Sequence, residues 1–477
     1  MPIVREESHN LTGGEVTSPP PHLVGVQEAL SAQNLDPRDL RGATTRNGRS
    51  QHGSNFSSDA AFDGLKHWIQ GIGSGGAGTA YLGSSHLIGR IGTTFYDFIS
   101  GVAASIGIGG TQGSIARMAP LNDVLCIVVD GLAPKQYDGT NFANLTGTPP
   151  AEAKFAVVHM SKLWLAGDDA NPQTKKGSAT NNPNDYTTSF DAVSITTQDG
   201  GGDTIQGLAS NRLILLTFYR NFTDYLAGNS YANFSEQRLI DRGLVSPTGY
   251  TSAGEVVFFA SDDAIYMVSG AQVTDITTGK MRTTYRNISD KSKISLGLKG
   301  DLLLVVDYGA DTAYACAYKF LRWSTWTGQA WKVMDTANDQ TFYAGADGGS
   351  TTQIWKLDTG SLDGAASITA HWRTPNLGFG WPDCPKNLAQ AKIHAKPGMP
   401  TTTITWYKNG ASIGSQNILT FATAAAGEHA WDTVAGQSKV RGQFLGMKIE
   451  WTGAGTLYGW TLYAEVTADE GEVPAVS

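Results

Sequence analysis

A short hairpin pattern that recurs along the chain is the feature that most constrains its fold. It is clearest between Thr204 and Gly270, where LILLTFYRNFTDYL and VVFFASDDAIYMV each place β-branched and aromatic residues on both sides of a polar turn. Apolar runs this short do not make an amphipathic helix and are typical of a strand, a tight turn and a second strand. Two successive hairpins are therefore predicted in this stretch.

The same pattern recurs at intervals of roughly 40 to 50 residues, which is the spacing of β-propeller blades with four short strands each. A lone hairpin leaves an apolar face uncovered, so neighbouring blades must cover it. The chain is predicted to be all-β, with a six- or seven-bladed β-propeller over residues 53–365. A strand from the segment between Gly53 and Gly78 is expected to close the last blade. The hairpin starts are Ala80, Val124, Lys162, Arg212, Val256, Leu302 and Thr341.

The flanking regions lack this repeat. Residues 1–52 are predicted to be an arm or lead-in strand, although Val24 to Leu35 could form a short helix. Longer alternating strands with an Asn409-Gly410 turn predict a separate C-terminal β-sandwich over 366–468. In its last strand Tyr458, Trp460, Leu462, Ala464 and Val466 should share one face, and 469–477 is expected to be a flexible acidic tail.

Composition excludes several classes of protein. Glycine accounts for 57 of 477 residues and charged residues for 16%, which favours a turn-rich β protein over a helical one. The net charge of −8 argues against a protein that grips phosphate backbones. The cysteines Cys126, Cys316 and Cys384 form no disulfide framework or metal spacing. The sequence suggests neither a secretory signal nor a membrane span, so folding in a reducing cytoplasm is expected.

The densest basic run consists of Arg38, Arg41, Arg46 and Arg49. No aromatic residues are interleaved with these arginines, as would be expected of a nucleic-acid contact. A solvated, turn-forming lead-in is the preferred interpretation.

Motifs for catalysis, metal binding or phosphate binding are lacking. The sequence contains no HExxH, GxSxG or GxxxxGK[ST] pattern, and its glycine runs do not lead from a strand into a helix. We therefore predict no catalytic, cofactor-binding or metal-binding residues, no cofactor and no enzymatic activity.

Because some propellers cleave glycans, the carboxylates need inspection. A glycosidase needs two carboxylates across a cleft, for which Glu236 and Glu255 are the candidate glutamates. Trp323, Trp326 and Trp331 could stack on sugars, but packing between blades is the preferred interpretation. The aspartates fall at predicted turns, where they satisfy backbone N–H groups, and a Ca²⁺ site is less favoured. These are Asp168-Asp169, Asp262-Asp263, Asp307, Asp311 and Asp347, the last in a partial Asp-box.

Several stretches of the sequence follow one another in a recognisable order: TIQGLASNRLILLTFYRNFTDYLAG, IDRGLVSPTGY and VVFFASDDAIYMVSG, and at the C-terminus KVRGQFLGMKIEWTGAGTLYGWTLYAEV. This order of elements resembles the propeller proteins of tailed bacteriophages. Leu163-Trp164, Asn171-Pro172, Ser178 and Pro183 match a recurring pattern of those propellers. The stretch Thr174 to Gly177 departs from it, because the family has an apolar strand there. The family is that of the packaged-DNA stabilisation and tail nozzle or hub proteins of short-tailed phages.

This resemblance implies a structural virion protein in the phage tail, made in the host bacterial cytoplasm. Such a protein forms a homo-oligomeric, usually hexameric, ring that extends the DNA conduit and retains packaged DNA. Its partners would be copies of itself, proteins of the adaptor or portal side, tail fibre or needle proteins, and double-stranded DNA passing without tight binding, with no membrane. Two alternatives remain open, a glycan-binding or glycan-cleaving propeller for host-surface recognition and a cytoplasmic interaction scaffold.

Overall fold

The computed structural model describes residues 3–9, 11–56, 61–71, 83–197, 202–346, 352–396, 398–418 and 441–467. Strands dominate this part of the chain, with one short helix, α1 (Arg282–Arg286), and a 3-10 turn at Lys291–Lys293. No helix in these ranges has the length and apolar character needed to cross a bilayer.

The N-terminal segment, up to Phe56, forms strands where the sequence predicts an arm or lead-in. No helix forms between Val24 and Leu35, where the chain instead enters two short strands. The strands of this segment are β1 (Ile3–Ser8), β2 (Gly14–Glu15), β3 (Glu28–Ala29), β4 (Ser31–Gln33), β5 (Ala43–Thr44) and β6 (Arg49–Phe56).

Seven blades of four antiparallel strands follow one another as a β-propeller. Five of them are separate four-stranded sheets, and blades 6 and 7 are parts of larger sheets. Blade 1 is β7 (Phe62–Ile69), β8 (Ser85–Ile91), β9 (Thr94–Asp97) and β10 (Ala104–Ile108). Blade 2 is β11 (Arg117–Leu121), β12 (Val124–Val129), β13 (Leu132–Tyr137) and β14 (Phe142–Asn144). Blade 3 is β15 (Phe155–His159), β16 (Lys162–Ala166), β17 (Thr174–Gly177) and β18 (Val193–Thr196). Blade 4 is β19 (Gly207–Ser210), β20 (Leu215–Phe218), β21 (Thr223–Ala227) and β22 (Ser235–Ile240).

Blade 5 is β23 (Tyr250–Ala253), β24 (Val256–Ala260), β25 (Ile265–Ser269) and β26 (Gln272–Asp275). Blade 6 is β27 (Ile294–Lys299), β28 (Leu302–Asp307), β29 (Thr312–Ala317) and β30 (Arg322–Thr327). Blade 7 takes β31 (Trp331–Thr336), β32 (Phe342–Ala346) and β33 (Thr352–Leu357) from this part of the chain and its fourth strand from β6. The propeller prediction is confirmed, and the number of blades is seven.

The predicted hairpin start Ala80 lies outside the described residues. Val124, Lys162, Val256 and Leu302 begin the second strands of their blades, and Arg212 and Thr341 lie shortly before theirs. These strands are the most buried of their sheets, and every residue of β28 is buried. The polar Thr174–Gly177 stretch nevertheless forms β17 and pairs with both β16 and β18. It does so because the buried Lys175 finds an acidic partner, Glu236, in the next blade.

The strand that closes the propeller is β6, which pairs antiparallel with β33 and sets Arg49 opposite Leu357. Only the first residues of the expected closing segment, Gly53 to Gly78, belong to it. The described remainder of that segment contributes β7, the first strand of blade 1. Arg49 suits blade 7 because its guanidinium lies 4.9 Å from the ring centres of both Trp331 and Trp355.

The chain after the propeller forms two sheets around one hydrophobic cluster that includes Trp372, Trp406, Trp451 and Trp460. One sheet has the order β1-β42-β37-β40 with β5 on β42, and the other continues from β30 of blade 6 through β4-β36-β41-β38-β39. From this part of the chain the two sheets take β36 (Thr369–Arg373), β37 (Lys386–Ala395), β38 (Thr402–Lys408), β39 (Ala411–Ile418), β40 (Arg441–Gly442), β41 (Leu445–Thr452) and β42 (Thr456–Val466). The preceding β34 (Leu362–Asp363) and β35 (Ala366–Ser367) instead extend the sheet of blade 7 beside β6.

A separate sandwich over 366–468 is not confirmed, because strands from the N-terminal segment complete both sheets and one sheet joins blade 6. The Asn409-Gly410 turn does form, with φ of +48° and +85°. Four of the five residues predicted to share a face of β42 are buried, but Tyr458 is exposed. A register shift between β37 and β42 next to Gly459 accounts for this difference. The predicted acidic tail, 469–477, lies outside the described residues.

Candidate functional site

The first strands of all seven blades surround a central cavity of about 340 Å³. It is lined by residues of β7, β11, β15, β19, β23, β27 and β31, so each blade presents its first strand to the propeller axis. A second cavity, of about 470 Å³, shares Lys66, Ser252 and Asp335 with the first and extends to Asn338 beyond the end of β31. We call the two cavities together the channel.

Two ion pairs join the first and last blades beside the channel. Lys66 Nζ of β7 lies 2.8 Å from Asp335 Oδ1 of β31, and Lys332 Nζ of β31 lies 2.8 Å from Asp63 Oδ1 of β7. β7 provides the lysine of the first pair and the aspartate of the second, and β31 provides their partners. This alternation of charge specifies how β7 and β31 meet. Asp63 also lies 3.7 Å from Arg90 Nη1, and both of these side chains are buried.

Arg117, the first residue of β11, extends from blade 2 to blade 5. Its guanidinium carbon lies 4.9 Å from the ring centre of Tyr250, the first residue of β23. Both residues line the cavity. Nε and Nη2 of Arg117 are buried and have no hydrogen-bond partner among the described residues. The channel therefore contains a cation that rests on an aromatic ring and is not neutralised by a carboxylate of the described chain.

The basic run of the N-terminal region is held by internal partners. Arg38 donates to both carboxylate oxygens of Asp358, at 2.9 and 2.7 Å. Arg46 Nη1 donates to Asp363 at 2.9 Å, Arg49 packs on two tryptophans, and Arg41 is exposed. Burial alone would raise the pKa of Asp358, but hydrogen bonds and charge from Arg38, with a further bond from Lys299, lower it to about 2. Three of the four arginines therefore fasten the closing region to the propeller.

The two candidate glutamates lie apart from the channel. Glu236 is on β22, the outer strand of blade 4, where it pairs with the buried Lys175 and accepts from Thr197 Oγ1 at 3.1 Å. Burial lowers the pKa of Lys175. Glu255 lies in the β23–β24 turn, is 75% exposed and contacts Arg212 Nη1 at 3.3 Å. Burial, together with the charge of Glu236, raises the pKa of the neighbouring Asp224 to about 6. Asp224 itself pairs with Arg238 Nε at 2.7 Å, and neither glutamate lines the channel.

The turn aspartates engage local partners. Asp307 accepts from the backbone N–H groups of Gly309 and Ala310, each at 3.2 Å. Asp262 pairs with Arg220, and Asp263 pairs with Arg242 and Arg282. Asp168 accepts from the Ala170 backbone, Asp169 pairs with Lys154, and Asp311 has a left-handed backbone. Asp347 and its partial Asp-box lie outside the described residues.

The tryptophans and cysteines proposed as packing residues are mostly buried. Trp323, Trp326 and Trp331 are each 2% exposed, which leaves their faces inaccessible to a sugar. Cys126 and Cys316 are buried and Cys384 is half-buried, and burial raises the pKa of Cys126 to about 12. Within the part of the chain that the structure describes, no group of three or more His, Cys, Asp or Glu side chains could hold a metal ion.

Sequence reasoning missed Arg117 and Tyr250. Each follows a turn and begins the strand before a marked hairpin start, so neither lies within the apolar runs that reveal the repeat. Assigning the strand before each hairpin start to the propeller axis would have placed Arg117, Lys66 and Lys332 at the channel. Arg117 and Tyr250 meet across the propeller axis because seven blades close into one propeller, and a local sequence pattern does not encode that closure.

No protein-family model and no curated protein matches this chain. Among solved structures, the extracellular domain of a hybrid two-component system from B. thetaiotaomicron matches at 9% identity and a TM-score of 0.44, over 75% of this chain and 45% of that one. The chain thus spans less than half of that protein. The AfRom2 CNH domain matches at 10% identity and a TM-score of 0.41, over 65% of this chain and 99% of that one.

The WD40 domain of Neurospora crassa Pan2 gives 10% identity and a TM-score of 0.41, over 67% of this chain and 98% of that one. At these identities and TM-scores the similarities do not bear on activity or partners. The seven blades of the chain itself define the β-propeller.

Proposed function

We propose that this chain is a structural virion protein of a tailed phage that forms a homo-oligomeric ring, as a nozzle or hub at the head-to-tail or tail channel. The ring would extend the DNA conduit and retain packaged DNA. The proposal starts from the resemblance in the order of elements between Thr204 and Gly270 and at the C-terminus.

The observation that carries the proposal is the joining of the propeller and the C-terminal sheets through the N-terminal segment. β6 completes blade 7, β4 lies between blade 6 and β36, and β1 and β5 pair with β42. A subunit built in this way resists hinge motion between its parts, which suits a wall under load better than an enzyme that opens and closes.

The size of the central cavity inside the propeller limits where DNA could pass. A cavity of about 340 Å³ has the size of a small-molecule pocket. Duplex DNA cannot enter it, so in this proposal the DNA passes through the centre of the ring between subunits. The net charge of −8 suits passage without tight binding, because each phosphate that a protein neutralises adds affinity.

The test is electron microscopy and native mass spectrometry of the purified full chain, together with mass spectrometry of purified particles from the genome that encodes it. The expected result is a ring of defined copy number and a stoichiometric amount of the protein in the particles. A protein that stays monomeric at all concentrations and is absent from the particles would overturn the proposal.

A second candidate, glycan recognition, is favoured by an exposed aromatic pair on neighbouring blades. Phe190 is 83% and Tyr231 is 50% exposed, and their ring centres lie 5.9 Å apart, edge to face. Phe190 also has a φ of +63°, unusual for a bulky residue. Asp191, the residue after Phe190, anchors this loop. It pairs with Lys162 and accepts a hydrogen bond from the backbone N–H of Thr180 at 2.8 Å.

Glycan-array binding by the full chain tests this candidate. Phe190→Ala should abolish any signal, whereas Leu213→Ala, at another exposed apolar residue, should retain it. An array without signal for the unmodified chain would exclude binding to the glycans displayed. Glycan cleavage would need separate evidence, namely release of reducing sugar by the full chain, because Glu236 already pairs with Lys175.

A further inference from the structure

Arg117, which lines the channel, has two adjacent donors without partners. Its Nε and Nη2 atoms are buried and make no hydrogen bond to the described residues. These two N–H groups lie along one edge of the planar guanidinium, where their spacing matches the two oxygens of a carboxylate. A buried Nε without a partner also occurs at Arg49, Arg90, Arg282 and Arg322, but among the described arginines Arg117 alone lacks partners at two adjacent atoms. A paired edge of this kind calls for a ligand or ordered solvent.

The other basic groups along the cavity are neutralised. Lys66 pairs with Asp335, and Lys332 pairs with Asp63. Arg117 instead rests on the face of Tyr250, which holds the guanidinium in place and provides no anionic oxygen. Among the described residues that line this cavity, Arg117 is therefore the cation available to an incoming anion.

The cavity beside Arg117 has room for a compact molecule. Its volume of about 340 Å³ lies in the range of small-molecule sites. Leu65, Met118 and Val333 provide apolar contacts, and Thr251 and Ser252 provide hydroxyl groups. The lining thus combines one site for a charged head group with surfaces for an apolar body.

We propose that the channel binds a small organic carboxylate, whose oxygens accept hydrogen bonds from Nε and Nη2 of Arg117. The apolar body of the ligand packs against Leu65 and Met118. This site lies inside a single subunit and does not depend on the ring proposed above.

The experiment is a calorimetric titration of the full chain with benzoate, at constant ionic strength, with benzamide as the neutral analogue. Benzoate is expected to saturate one site per chain, and benzamide should not bind. Arg117→Lys keeps the charge but loses the paired donors, so benzoate affinity should fall about tenfold, as expected for the loss of one charge-assisted hydrogen bond. Arg212→Lys is the matched control, because Arg212 lies in an exposed turn and contacts Glu255.

Hydrogen exchange of the unmodified chain locates the site without a variant. Benzoate should slow exchange in β7, β11 and β23, where Leu65, Arg117 and Tyr250 lie, and should leave β29 unchanged. If Arg117→Lys does not fold, this measurement still tests whether benzoate binds beside Arg117.

Several results would overturn the proposal. These are a titration that does not saturate, equal binding of benzamide, benzoate affinity unchanged in Arg117→Lys, or protection confined to strands other than β7, β11 and β23. Saturable binding of inorganic phosphate in place of benzoate would also overturn it, because the site would then select a tetrahedral anion.

Discussion

Two buried ion pairs of the propeller join neighbouring blades. Lys175 of blade 3 pairs with Glu236 of blade 4, and Asp63 of blade 1 pairs with Lys332 of blade 7. Removing one member leaves a buried charge without a partner, which costs more than the pair contributes to stability. Each pair therefore acts mainly by specifying which blade faces meet.

Glu15 is a buried carboxyl group of a different kind, because no ion pair joins it to a cation in the described ranges. It is 6% exposed and accepts from Thr325 Oγ1 of blade 6 at 2.8 Å. Burial raises its pKa from 4.5 to about 7, against the smaller opposing effect of hydrogen bonds from Thr325 and Ala32. The folded state therefore keeps this proton at pH values where the unfolded chain has lost it.

Glu15→Gln should remove a pH dependence of stability. Because the pKa of Glu15 is higher in the folded state, its proton stabilises the folded wild type most below pH 4.5. The free energy of unfolding then falls by about 3 kcal/mol as the pH rises through about 7. The variant should not show this loss, so its free energy of unfolding relative to wild type should rise by about 3 kcal/mol between pH 4.5 and 8. Urea unfolding across this range measures the difference.

Glu255→Gln is the control, since Glu255 lies in an exposed turn. Its free energy of unfolding relative to wild type should stay constant over the same range. A Glu15→Gln curve that runs parallel to wild type would show that Glu15 ionises normally in the folded protein.

At the scale of elements, local patterns were enough to predict the repeat but not its closure. The second strands of the blades are apolar runs bounded by turns, so Val124, Val256 and Leu302 mark them in the sequence. The partner of β33 could not be found in this way, because β6 reads RSQHGSNF and lacks an apolar run. Its pairing depends on contacts with the far end of the propeller sequence, such as Arg49 on Trp355.

The candidate site was hidden for the same reason. Arg117 and Tyr250 belong to blades that are far apart in the sequence, and neither residue is part of a motif. The polar N-terminal segment was likewise predicted as a lead-in, because strands as short as β2, β3 and β5 show no periodicity. Strands this short are defined by the sheets they join.

The closure of the propeller between blades 1 and 7 should depend on Lys332. In Lys332→Met the buried Asp63 keeps Arg90 at 3.7 Å and loses the bond to Lys332 at 2.8 Å. A buried charge left without any partner costs about 3–5 kcal/mol. Because Arg90 still compensates part of the Asp63 charge, the expected loss of unfolding free energy is about 3 kcal/mol or less. Lys319→Met is the matched control, because the Lys319–Asp301 pair is exposed and its loss should change the stability far less.

Combining Lys332→Met with Asp63→Asn should recover part of this loss, since the double variant no longer buries a full negative charge. Guanidinium unfolding of the single and double variants measures both effects. Equal stability of Lys332→Met and Lys319→Met would mean that the pair does not hold blades 1 and 7 together.

At the scale of the whole molecule, the two ends of the chain meet in one hydrophobic core. β1 pairs with β42 from Ile3 opposite Glu465 to Ser8 opposite Trp460. Leu11, Ala32 and Leu35 lie in the same cluster as Trp372 and Trp460. The region after the propeller therefore depends on residues that precede the propeller in sequence.

This dependence predicts how fragments behave. A fragment of residues 366–468 lacks β1, β4 and β5, so it exposes an edge of β42 and an edge of β36 together with part of their core. It should show no cooperative unfolding transition by near-ultraviolet circular dichroism. Joining residues 1–47 to it through a flexible linker should restore the transition, because the missing strands return, whereas a scrambled 1–47 segment should not. Cooperative unfolding of the isolated 366–468 fragment would instead make it an independent domain, and the N-terminal strands β1, β4 and β5 would then be an addition to a core that is already complete.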